Sequence, residues 1–187
     1  MDKIRLFESL PLNTLPPSAA VDFLHLLFFD KPALRTCLAN KEAFPLLTNW
    51  CIKNDFSIQY DEEGYVCIAK TQQMARLILL VDRSERSHEY IFGKLLGYPE
   101  CCCQFAAYIG EGRLNEMETE VSLWHFPKKF RIINPTAYLE GKSLICHLPC
   151  STQCLPSFVS ADKVLTFLRE NRTEVAFQQW SSWLTNV

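Results

Sequence analysis

The segment LLGYPECCCQFA, residues 95–106, sets three consecutive cysteines directly after a Gly-Tyr-Pro turn, and no other stretch limits the fold as tightly. Proline suits the first turn of a helix, where its missing N–H costs nothing. Pro99 therefore opens a helix over CCCQFAAYIGEG that ends at Gly110 or Gly112. Successive side chains on such a helix diverge by about 100°, so the three thiols cannot all face one partner. Adjacent cysteines also bridge poorly, because a disulfide needs Cα atoms about 4.4–6.8 Å apart and consecutive ones sit about 3.8 Å apart. One or two of Cys101, Cys102 and Cys103 can face a site while another packs inward. Unpaired amides and the helix dipole favour a thiolate at such a helix start.

A second segment, ICHLPCSTQCLPS, spaces Cys146, Cys150 and Cys154 four apart beside His147. Pro149 and Pro156 argue for a short ligand-presenting turn rather than one unbroken helix. Thiolate and imidazole suit zinc, and thiolate suits iron, including iron–sulfur clusters. Cys101, Cys102, Cys150 and Cys154 are the candidate ligands, with His147 as a further ligand or a support behind them. The spacing C-x3-C-x3-C differs from the C-x3-C-x2-C of radical-enzyme clusters, and the chain is too short for the barrel they use.

Composition narrows the class. With 187 residues, 48% hydrophobic and 21% charged, the chain is expected to form one globular domain. A net charge of -2 and a pI near 6.1 provide no basic footprint for nucleic acid. The longest apolar run, Val21 to Phe29, is too short to span a membrane. MDKIRLFESLPL lacks the apolar region of a secretory signal, so the expected compartment is the cytoplasm. Nine cysteines, an odd number, fit reduced thiols better than a disulfide framework.

Periodicity predicts an α+β fold: a small antiparallel or mixed sheet, made of a hairpin and a buried strand, packed by several helices. Ser18 is expected to cap a helix over AAVDFLHLLFF, and a second helix is expected from Lys41 to about Asn54, giving a helical N-terminal part over about 1–54. The Cys-rich part, about 55–187, begins with the hairpin in DFSIQYDEEGYVCIAKT, and the apolar run RLILLV (76–81) reads as the buried strand. Asp82 or Ser84 then caps a helix ending at Gly97. Residues 113–142 read as loops around short elements. An amphipathic helix is expected from about Ser157 to Asn171, continuing toward Trp183. Cys37, Cys51 and Cys67 sit in apolar patterns and are expected in the core.

The stretch GKLLGYPECC (93–102), with Phe105, and HLPCSTQCLPS (147–157) resemble a group of small prokaryotic proteins classed as a domain of unknown function. That group pairs a G-x-L-L-G-Y-P-x-C-C segment with a later H-x-P-C-S-x-x-C-x-x-S segment. The resemblance singles out Gly97, Tyr98, Pro99, Cys101 and Cys102, then His147, Pro149, Cys150, Ser151, Cys154 and Ser157, and it implies no reaction. Cys103 and Cys146 fall outside it.

These readings lead to a thiol-rich site binding zinc or iron, acting on a small molecule or peptide. One alternative is a metal-free enzyme with Cys101 or Cys102 as nucleophile and His88 or His147 as base. The bland reading of His88 is a solvent-facing helix residue. The other alternative is a non-catalytic interaction module with core cysteines.

Overall fold

A computed structural model describes residues 3–38, 42, 44–84, 88–136, 138, 140–171 and 180. In chain order the helices are α1 (Lys3–Glu8), α2 (Ala19–Phe28), α3 (Phe44–Lys53), α4 (Gln72–Asp82), α5 (Glu89–Leu95), α6 (Glu100–Ile109), α7 (Glu111–Ser122) and α8 (Leu155–Glu170). The strands are β1 (Ala33–Cys37), β2 (Ser57–Tyr60) and β3 (Tyr65–Ala69). The architecture is α+β, with one three-stranded antiparallel sheet of order β1-β3-β2.

The hairpin forms where it was expected. Asp61 Oδ1 accepts the amides of Gly64 at 2.8 Å and Tyr65 at 2.9 Å, and Gly64 takes φ 98°, which a residue without Cβ adopts freely. Strand side chains alternate between faces. Val66 and Ile68 of β3 accordingly enter the main core, while Cys67 and Ala69 join a smaller cluster with Ala75, Ile78 and Leu96. A central strand covered on both faces reads as a continuous apolar run.

The third strand is not RLILLV. That run lies in α4, where Thr71 Oγ1 accepts the Met74 amide at 3.2 Å and caps the start. Ala75 and Ile78 are buried three residues apart, whereas Leu77 and Leu80 are exposed. Five consecutive apolar residues carry no periodicity that separates helix from strand. The sheet is completed instead by β1, paired from Ala33↔Ala69 to Cys37↔Tyr65, so the N-terminal part expected to be helical contributes a strand. Cys37, at the end of this edge strand, is exposed rather than in the core. Cys51 and Cys67 are buried.

α2 is the hydrophobic centre. Every residue from Ala19 to Leu27 is buried, and Phe23 meets Trp50 of α3 edge-on at 5.6 Å. Ser18 precedes α2, but its backbone is already helical and its hydroxyl makes no cap. Asp82 ends α4 rather than capping α5, which follows His88. Residues 113–122, expected to belong to loops around short elements, lie in the helix α7. The described part of the C-terminal helix ends at Glu170; its expected continuation lies outside the described residues apart from Trp180, which is buried.

Two glycines set α5 against its neighbours. Gly97 has φ +76°, and a Cβ there would lie 2.5 Å from Pro32 Cδ. A Cβ on Gly93 would lie 2.8 Å from Cys103 Sγ. The GKLLGYP segment therefore lets α6 approach α5 closely, and this approach orients the three cysteines.

Candidate metal centre

Pro99 stands one residue before the first helical residue, so α6 opens at Glu100 with Cys101, Cys102 and Cys103 in and just beyond its first turn. The chain from Cys146 to Cys154 is turn and bend, as the prolines predict. Cys154 then stands immediately before α8, whose first turn holds Pro156. Two helix starts thus meet, each bringing cysteines.

Cys101 Sγ lies 3.9 Å from Cys102 Sγ and 3.7 Å from Cys154 Sγ, and Cys102 and Cys154 are 3.6 Å apart. With Cys150, the four sulfurs lie within 4.8 Å of one another. Cys102 and Cys154 are buried, while Cys101 and Cys150 are partly accessible. Cys103 rotates away from the cluster onto Gly93, and its thiol donates to the Tyr98 carbonyl at 3.5 Å. Cys146 also lies apart, accepting a hydrogen bond from Lys31 Nζ at 3.2 Å.

The sulfurs are electronically unequal. Hydrogen bonds, first from the Cys102 thiol and then from the Ser157 hydroxyl, bring Cys154 down to about 4. Cys102, donating to that thiolate and buried, is pushed well up. Burial, followed by the hydrogen bond to Cys101, raises Cys150 to about 12. The helix-start activation expected of Cys101 or Cys102 therefore does not fall on Cys102, and the stabilised thiolate is Cys154. One sulfur draws in its neighbours' protons, and a cation can replace them, because thiols bind metals deprotonated.

His147 stands behind this cluster rather than in it. Ser157, fully buried, donates to Cys154 Sγ at 3.1 Å and lies 3.3 Å from Cys102 Sγ. His147 Nε2 meets the Ser157 hydroxyl at 2.8 Å. Its ring centre is 5.2 Å from that of Tyr98, and burial above all lowers its pKa to about 3, leaving the imidazole neutral. Such outer partners fix ligand orientation.

His88 is buried, contrary to the solvent-facing reading. It precedes α5 with its ring edge-on to Phe92 at 5.8 Å. It takes no part in the sulfur cluster but lines a cavity of about 430 Å³ whose wall also includes Cys102, Cys103, Cys146 and His147. Glu85 and Arg86, shortly before it in the chain, lie outside the described residues.

A buried charge network beside this cavity went unforeseen. Lys31 pairs with Asp22, donates to Cys146 and lies 5.0 Å from the centre of the Tyr98 ring. Asp22 also accepts from the Tyr138 hydroxyl at 3.2 Å. In sequence Lys31 sits between Asp30 and Pro32 and looks like part of a solvated turn.

No described helix is long and apolar enough to cross a membrane. Comparison of the chain with protein-family models, curated proteins and solved structures finds no match.

Proposed function

We propose that Cys101, Cys102, Cys150 and Cys154 hold one four-coordinate metal ion, zinc or iron, and that the adjoining cavity receives a small molecule or peptide. The sulfur spacing carries this reading. A zinc–sulfur bond of about 2.3 Å gives a tetrahedron with edges of about 3.8 Å, close to the 3.6, 3.7 and 3.9 Å found among Cys101, Cys102 and Cys154. Sulfurs this close surround a single ion more readily than an iron–sulfur cluster, which spreads its thiolates over separate irons. Four thiolates also close the coordination shell, which is the mark of a structural site. The ion would fasten the 146–154 turn to the start of α6, and any chemistry would belong to the cavity. The likeness to the GYPxCC group supports the same residues, since its marked positions Cys101, Cys102, His147, Cys150, Cys154 and Ser157 all contribute to this one assembly.

Elemental analysis of protein purified without chelator tests the reading. The expected result is close to one equivalent of zinc or iron, lost in Cys150→Ser and Cys154→Ser. Metal well below one equivalent, unchanged by Cys150→Ser, would overturn it. The lowered Cys154 thiol favours one second reading, a metal-free nucleophile, which predicts a single thiol alkylating far faster than the rest near neutral pH.

A further inference from the structure

The cavity's wall has a chemical bias. Three carboxylates, Asp82, Glu89 and Glu118, line it against one guanidinium, Arg35. Arg35 is already engaged: its Nε donates to Asp82 at 2.9 Å, and its guanidinium lies 3.9 Å from the centre of the Tyr65 ring. His147 is neutral, and Lys31 is committed to Asp22 and Cys146. Arg35 and Lys31 are thus met within the fold, and the Arg35 contact equally answers Asp82.

Glu118 is different. It is half-buried on α7, burial alone raises its pKa, and no hydrogen bond or ion pair joins it to another described residue. The wall of the same cavity presents the rings of Tyr65, Phe92, Tyr98 and Tyr138. Burial foremost pushes the half-buried Tyr98 phenol well above its ordinary pKa, so it adds no negative charge to this wall. Aromatic faces attract cations electrostatically, most strongly where water is excluded. Ligand pockets of this size usually combine such apolar walls with a few convergent polar groups.

We infer that the cavity binds a small organic cation, an amine whose charge meets Glu118 and whose body lies against the tyrosine and phenylalanine rings. This rests on the reading of the cavity as a ligand site, and it needs no metal contact. A carboxylate or phosphate ligand would face Glu118 directly. A neutral one would leave that carboxyl without a counter-charge.

The test uses the full chain as purified and two matched probe series, tryptamine with tryptophol and indole-3-acetate, and phenethylamine with phenethyl alcohol and phenylacetate. Binding is measured by calorimetry. The amines are expected to bind at least tenfold more tightly than their matched alcohols and acids. Glu118→Gln should abolish that preference, and Glu116→Gln, at an exposed position of the same helix, should keep it. Phe92→Leu, which removes one ring of the wall, should weaken amine binding several-fold and serves if Glu118→Gln does not fold. Tighter binding of the alcohols or acids would retain the ligand site but overturn its cation preference. Absence of binding by every probe would overturn both. A preference that survives Glu118→Gln, or unchanged amine affinity in Phe92→Leu, would also overturn the inference.

Discussion

Replacing Lys31 with methionine removes the cation of a buried ion pair while nearly preserving side-chain length. The side chains of Lys31 and Asp22 are 5% and 1% exposed, so neither charge can turn to water. Burial opposes the Lys31 ammonium, yet Asp22 first and Cys146 next outweigh it and raise its pKa above the ordinary lysine value. In Lys31→Met the Asp22 carboxylate keeps the Tyr138 hydroxyl as its hydrogen-bond partner. Breaking a buried pair from one side typically costs about 3–5 kcal/mol, because the other charge stays behind uncompensated. Total domain stability is only about 5–15 kcal/mol, so the variant should be severely weakened. Adding Asp22→Asn removes the stranded charge and keeps an acceptor for Tyr138. The double variant should therefore lose only about 1–2 kcal/mol, the scale of ordinary hydrogen bonds. Urea unfolding followed by the fluorescence of buried Trp50 and Trp180 measures this as a shift of midpoint at constant slope. A single-variant loss below about 1 kcal/mol, or a double variant no more stable than the single, would refute the reasoning.

Ser157→Ala removes the hydroxyl linking His147 to Cys154; metal affinity, read by chelator competition, should fall about 10–100-fold while the helical circular dichroism is retained. Gly97→Ala forces a Cβ onto a backbone at φ +76° and against the Pro32 ring, and should lower stability by at least about 1–2 kcal/mol in urea unfolding. Acid should destabilise the fold through two histidines. Burial foremost lowers His25 from 6.5 to about 4 and His147 from 6.5 to about 3. The unfolded chain then takes up these protons first. Their contribution is complete above about pH 6.5 and declines as pH falls toward 4 and 3, with a slope approaching about 1.4 kcal/mol per pH unit for each. His25→Gln should flatten the urea-derived stability profile by close to one proton between pH 6.5 and 4, and a profile parallel to wild type would contradict the assignment.

Much of the site was legible because its determinants are local. Pro99 and the adjacent cysteines define a helix start whose rotation must separate three thiols, and Pro149 and Pro156 forbid a continuous helix through the second cluster. Asp61 and Gly64 specify the hairpin turn in the same self-contained way. RLILLV was misread because a short apolar run satisfies either helix or strand, and the Thr71 cap together with packing against the sheet decided between them. β1 was missed because ALRTC acquires strand character only through pairing with β3. Helical rotation also left open which thiols of the triplet would serve. Close packing of α5 on α6 turned Cys103 onto Gly93, and the meeting of the α6 and α8 starts brought Cys101 and Cys102 to Cys154. The Lys31–Asp22 pair and the cavity around Glu118 belong to that second class. Their charges acquire meaning only when distant segments fold over them and exclude water, so sequence defined which groups could form a site, and tertiary packing alone decided which of them do.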